Sequence, residues 1–147
     1  MHTIAKIIFI HPEEQNFIRT ADMLVGERNA AIRATLSEAE QQSTAVWFRH
    51  PGSDSELQLF EVRLEPNSVA APHAHASDEI MVVVDGEMWF GAQRCGPGTS
   101  VYIPGNTLYG FRAGPNGARF MNFRPRRDGT YVTKDQLTSS RAARPTS

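Results

Sequence analysis

The chain is predicted to be all-β, a β-sandwich or closed barrel preceded by a short mixed extension. Three observations lead there. From Thr44 onward, short β-prone runs recur at intervals of roughly ten residues. Pro, Gly and Asn clusters separate them, at Pro51-Gly52, Pro66-Asn67-Ser68, Gly96-Pro97-Gly98, Pro104-Gly105-Asn106 and Gly114-Pro115-Asn116-Gly117. No helical pattern interrupts the runs after residue 44, so a parallel βαβ arrangement is excluded.

The elements follow in order. Residues 4–10, Ile-Ala-Lys-Ile-Ile-Phe-Ile, read as a strand that pairs outside the main sheet. Arg28 to Gln42 is rich in Ala, Glu and Gln, with Ile32 and Leu36 four apart, and predicts a helix. Thr44 to Arg49 is the first strand of the main body. In Leu57 to Glu65, Phe60, Val62 and Leu64 face one way and Glu61, Arg63 and Glu65 the other. Glu79 to Val84 and Met88 to Phe90 flank Asp85-Gly86, which reads as a hairpin turn. Ser100 to Ile103, Thr107 to Arg112 and Ala118 to Arg124 complete the strands. The tail from Thr138 is Ser, Arg, Ala, Pro and Thr and is expected to be disordered. The expected organisation is an extension over 1–43, a barrel over 44–137 and a tail over 138–147.

Composition narrows the function classes. The chain has 147 residues, 40% hydrophobic and 21% charged, which suits one folded domain. A formal net charge of -1 supplies no field for nucleic acid or an anionic membrane, and neither is expected as a partner. Cys95 is the single cysteine, so no internal disulfide forms and a reducing, cytoplasmic setting is expected. No apolar run approaches the ~20 residues that span a bilayer.

The chemistry concentrates in Pro72-His73-Ala74-His75-Ala76-Ser77-Asp78-Glu79. Two histidines two apart on a strand point the same way. If the chain bends at Ala76-Ser77-Asp78, Glu79 reaches back to them. Two imidazole nitrogens and a carboxylate oxygen suit a divalent transition metal. Iron, manganese, nickel, copper and zinc are all compatible with that set, with Fe(II) expected first.

These residues resemble the cupin family. His73, His75, Glu79 and Gly86 fit the second part of its first motif without a gap, although the leading glycine is absent. Gly98, followed five residues later by Pro104 and then Gly105-Asn106-Thr107-Leu108-Tyr109, resembles its second motif. The resemblance implies a single cupin barrel (a double-stranded β-helix, or jelly roll) with His73, His75 and Glu79 as metal ligands.

It departs at Tyr109, which stands where cupins usually carry a third histidine. Three readings follow: the metal is held by His73, His75 and Glu79 alone; Tyr109 coordinates as a fourth ligand; or the domain is a non-metal cupin. His50 is a further candidate for the missing ligand. His2 and His11 are taken as structural or solvated, Asp78 as a turn residue and Cys95 as a core residue. Trp47, Phe60, Met81, Val83, Phe111, Met121 and Phe123 are expected to fill the barrel or line a pocket around the metal, favouring an apolar or aromatic substrate. Arg63, Arg112, Arg119 and Arg124 are candidates for binding a substrate carboxylate.

The expected function is a small metal-dependent cupin enzyme, a non-haem iron dioxygenase first. In it Tyr109 acts as a hydrogen-bond donor or acid–base group beside the metal. The alternatives are an isomerase, lyase or hydrolase of the same fold, or a non-catalytic module that binds a small ligand. A homodimer is expected, with the strand at 4–10 exchanged between subunits.

Overall fold

The structure, a computed structural model, describes residues 5–137. His2 and the tail from Thr138 lie outside the described residues. Nine strands form one antiparallel sheet that curls on itself. They are β1 (Ile18–Arg19), β2 (Thr44–His50), β3 (Gln58–Leu64), β4 (Val69–Ala74), β5 (Glu79–Phe90), β6 (Gln93–Cys95), β7 (Ser100–Ile103), β8 (Tyr109–Arg124) and β9 (Val132–Thr133). The path runs β1-β2-β3-β8-β4-β9, and β5 joins β8 to β6 and β7. Three short helices precede β2 or flank β1: α1 (Thr20–Met23), α2 (Ala30–Thr35) and α3 (Glu38–Ser43). Among the described residues no helix is long and apolar enough to cross a membrane.

The core is the inner face of this curled sheet. Phe60, Val62 and Leu64 of β3 alternate inward as their spacing predicts, and meet Met81, Val83 and Met88 of β5 and Phe120 of β8. Glu61 is also buried, because Arg49 covers it at 3.4 Å. Free Cys95 is buried in the same core.

Three expectations are corrected. Asp85-Gly86 is not a hairpin turn: β5 runs unbroken through it from Glu79 to Phe90. Gly86 has φ +73°, and a Cβ there would overlap the carbonyl oxygen of Gly117. The glycine therefore bends a continuous strand where two backbones touch. The true hairpin lies at Gly91, between β5 and β6. Likewise Gly114 to Gly117 does not end a strand; it is a bend within β8.

The second correction concerns the helix over Arg28 to Gln42. It is broken at Leu36-Ser37, because Ser37 caps a new helix by accepting from the Glu40 amide at 3.0 Å. Third, residues 5–10 form no strand, and Ile7, Ile8 and Phe9 are exposed.

The bend at Gly86 yields a test. Gly86→Ala is expected to destabilise the fold by about 2–3 kcal/mol, through both strain and backbone overlap. Gly91→Ala, at φ +59° with open space around it, carries only the strain, about 1 kcal/mol. Urea midpoints of the two variants check the difference.

Candidate metal centre

Strand β4 is irregular between Ala70 and His73, where Pro72 has no N–H to give the ladder. The irregularity frees the Ala71 carbonyl, and His73 Nδ1 donates to it at 2.7 Å. His75 Nδ1 donates to the Thr130 carbonyl. A carbonyl only accepts, so each Nδ1 carries the ring proton when the ring is neutral. Burial, before any nearby charge, holds both rings neutral: His73 is pushed down to about 4, and His75 is also lowered. The lone pair of each Nε2 is therefore available, the tautomer that a metal ligand needs.

Two loops fix the backbone around these rings. Asn106 N–H donates to the His75 carbonyl at 2.7 Å, and Gly105 N–H donates to Asp78 Oδ1 at the same distance. Asp78 is thus a turn residue, as expected. From the other side comes the segment after β8. Thr130 Oγ1 accepts from Ala76 N–H and Asp128 Oδ2 from Ser77 N–H, both at 2.8 Å. Burial raises the Asp128 carboxyl, but hydrogen bonds from Thr130 and Ser77 outweigh it and hold the group near 2.

The rings of His73 and His75 lie 5.0 Å apart, edge to face. Tyr109 packs 4.6 Å from His73. Tyr131 stacks on His73, 4.9 Å away and nearly parallel to it. Burial first, and the charge of Glu79 second, push the Tyr109 phenol far above its ordinary value. Burial raises Tyr131 to about 12. Both phenols are neutral donors in this site.

Glu79 opens β5 and is 2% exposed. Its Oε2 accepts from Asn122 Nδ2 and from Arg124 Nε, each at 3.0 Å. Its Oε1 has no partner, and neither does the buried Oδ1 of Asn122. Two orphaned acceptors beside two free imidazole lone pairs call for a cation. The donor chemistry therefore fits a divalent metal held by His73, His75 and Glu79 Oε1. The convergence is not formed, however: among the described residues no three His, Cys, Asp or Glu side chains lie close enough together to hold an ion as they stand. Glu79 is instead committed through Oε2 to the Arg124 guanidinium.

A cavity of about 200 Å³ opens onto this cluster. Phe60, Met81 and Phe111 line it, along with Tyr109. The other four expected lining residues do not. Trp47 turns to Phe17 and Arg49. Val83 is enclosed in the core. On β8 the inward positions are Phe120 and Asn122, so Met121 and Phe123 face outward, one residue out of step with the expectation. Phe123 instead joins an outer cleft with His50, which Glu79 and Arg124 also border. Of the four arginines, Arg63 covers Phe17, Arg112 covers Trp89, Arg119 lies opposite Arg63 and Asp85 in the sheet, and Arg124 reaches the site. Tyr131, Asn122 and Glu40 were not legible as site residues. The first follows a loop with no strand signal, and the other two are single polar residues that no spacing marks.

Two outcomes follow for the metal-free protein. His73 is lowered on folding, so the unfolded chain takes up its proton first. Stability is then fully present above about pH 6.5 and falls by up to about 3 kcal/mol as pH drops toward 4. Denaturation midpoints from pH 7.5 to 4.5 check this, and His73→Asn should flatten the slope. Arg124→Ala, which leaves Glu79 charged and buried, should cost about 3–5 kcal/mol. Adding Glu79→Gln to Arg124→Ala should recover much of that loss in a double-mutant cycle.

No protein-family model matches the chain, and no curated protein matches it. Solved structures do. KdgF from Halomonas sp. is 20% identical over 83% of this chain and 96% of its own, with a TM-score of 0.59. The polyketide cyclase RemF from Streptomyces resistomycificus is 17% identical over 92% of this chain and 94% of its own, with a TM-score of 0.64. An RmlC-like cupin from Shewanella frigidimarina is 16% identical over 83% of this chain and 94% of its own, with a TM-score of 0.57. At such identities the likeness is one of architecture: the chain has the cupin fold.

Proposed function

We propose that the chain is a mononuclear metal-dependent enzyme acting on a small, partly aromatic molecule. The observation that carries this is the pair of neutral histidines anchored through Nδ1, facing a carboxylate with one unpartnered oxygen. His73, His75 and Glu79 would hold the metal. Bound there, a divalent transition metal supplies Lewis-acid polarisation, and as Fe(II) in a two-histidine, one-carboxylate set it also supplies oxygen chemistry.

The protein's own groups have distinct tasks. The carbonyls of Ala71 and Thr130 fix the tautomer and direction of the two rings. Asn122 and Arg124 hold Glu79 Oε2 and so present Oε1. Tyr109 keeps its proton and can donate it as a hydrogen bond to an oxygen developing charge beside the histidines. Tyr131 closes one face of His73 and keeps water from it. The apolar walls take the remainder of the substrate.

Oxygenation is the reading that the ligand set favours. A second reading, isomerase or lyase chemistry by proton transfer, is favoured by the two protonated phenols, which are suited to stabilising an enolate. The polyketide cyclase among the structural neighbours is compatible with it.

Elemental analysis of protein purified without a metal-binding tag tests the proposal. About one transition-metal ion per chain is expected, with loss in His75→Ala and in Glu79→Gln. Asn122→Ala should weaken retention about 10- to 100-fold. A wild-type protein that is empty and takes up no added Fe, Mn or Zn would move the reading to a non-metal ligand-binding cupin. Oxygen consumption with candidate substrates separates the oxygenase from the proton-transfer enzyme.

A further inference from the structure

The two histidines receive their anchoring carbonyls in different ways. His73 Nδ1 donates to Ala71, two residues back on the same strand, so β4 itself supplies the acceptor. His75 Nδ1 donates to Thr130, 55 residues further along the chain. Thr130 is exposed and follows Gly129, on a connection with no strand pairing of its own. Glycine has the widest backbone freedom, so something other than the sheet must aim the Thr130 carbonyl.

The group placed to do so is Asp128. Its Oδ1 accepts from Thr130 N–H at 2.8 Å and from Thr130 Oγ1 at 2.6 Å. Taken alone, that pair of bonds is an ordinary Asx turn, which shapes a loop and nothing more. The other oxygen reaches outside the loop: Oδ2 accepts from the N–H of buried Ser77 at 2.8 Å, across 51 residues of chain. Thr130 Oγ1 in turn accepts from Ala76 N–H, also at 2.8 Å. The His75 ring and the next two amides therefore all donate into residues 128–130. One carboxylate shapes the acceptor side of all three bonds, directly or through Thr130.

Both ends of this segment are fixed without that carboxylate. Arg124 Nη1 donates to the Asp128 carbonyl at 2.8 Å, and Arg127 N–H donates to the Ser53 carbonyl at 2.9 Å. Beyond the segment, β9 pairs Val132 with Ala74. Loss of the carboxylate would thus leave the segment in place while freeing the Thr130 carbonyl to turn.

We propose that Asp128 is a positioning residue for His75: by holding Thr130 it keeps a carbonyl on Nδ1 and so keeps the Nε2 lone pair free for the metal. The inference rests on the reading of His75 as a metal ligand. It gives the two rings different dependence on the chain. His73 is oriented by its own strand, and His75 by a carboxylate outside the ligand set.

The test has two readouts. Two-bond proton–nitrogen correlations near neutral pH report the tautomer of each ring in the metal-stripped full chain. Chelator competition reports the affinity of the same chain for added zinc. In the wild type both rings are expected wholly as Nδ1–H. In Asp128→Ala, His75 should become a mixture with a substantial Nε2–H share, while His73 stays Nδ1–H. Zinc affinity should fall about 10- to 100-fold. Asp128→Asn keeps an oxygen for Thr130 but sets an amide group against Ser77 N–H. It should give a smaller Nε2–H share. It also carries the test should the alanine variant, which leaves a buried N–H unpaired, melt early.

A His75 that stays wholly Nδ1–H in both variants would overturn the proposal. So would a His73 that changes tautomer in step with His75, since Asp128 would then serve the stability of the whole barrel end. A change confined to His75 in protein that takes up no zinc would uphold the positioning role while defeating the metal reading. Zinc-loaded protein whose His75 ignores both substitutions would do the reverse.

Discussion

The register between β5 and β8 is the constraint on which the site depends. These two long strands pair from Ile80 opposite Phe123 to Trp89 opposite Arg112, with the bends at Gly86 and Gly117 in contact. With Met81 opposite Asn122, the inward side chains of the two strands interdigitate. Glu79 therefore meets Asn122 and Arg124 at the same end of the barrel. A slip of one residue would turn Glu79 outward and bring Phe123 in. The apolar inner face of Met81, Val83 and Phe120 holds the register, so core packing and ligand placement are one problem here.

The electrostatic character of the site follows from that placement. Two histidines are neutral, two phenols keep their protons, and the Glu79 carboxylate is matched by the Arg124 guanidinium. A buried ion pair of this kind gains little stability over an apolar pair, and its value lies in orientation. Arg124 also donates to the Asp128 carbonyl at 2.8 Å, so the same guanidinium that steers Glu79 anchors the segment carrying Thr130 and Tyr131. A divalent ion entering here would meet a positive neighbour that offsets the carboxylate. Affinity must then come from the imidazoles and from the geometry they are held in.

Much of the fold was legible because its signals are local. Strand alternation at Phe60, Val62 and Leu64 needs only the chain itself, and so does the resemblance of the stretch from His73 to Gly86. What misled was also local. Asp-Gly usually turns a hairpin, but here Gly86 serves the contact with Gly117, a position thirty-odd residues away that no local pattern reveals. Leu36-Ser37 breaks a helix because a serine hydroxyl competes for the amide of Glu40, which averaged propensity hides. The inward side of β8 was misread by one residue since Met121 and Phe123 are the more apolar pair. The buried polar positions Asn122 and Arg124 make sense only with Glu79 opposite them. Tyr131 lies on a connection whose sequence carries no periodicity and Glu40 on a short helix, and only tertiary structure brings them to the histidines.

The strap from Asp128 to Tyr131 has a consequence for assembly. Thr130 contacts His75 across 55 residues of chain, and Ser77 meets Asp128 across 51. Closing such loops costs chain entropy before any contact repays it. His73 lies on β4 and His75 directly follows it, yet the carbonyl that sets the His75 tautomer is made 55 residues later. A chain halted at Arg127 would have nearly the whole barrel and an unoriented His75. Competence at this site is thus acquired after the scaffold that surrounds it.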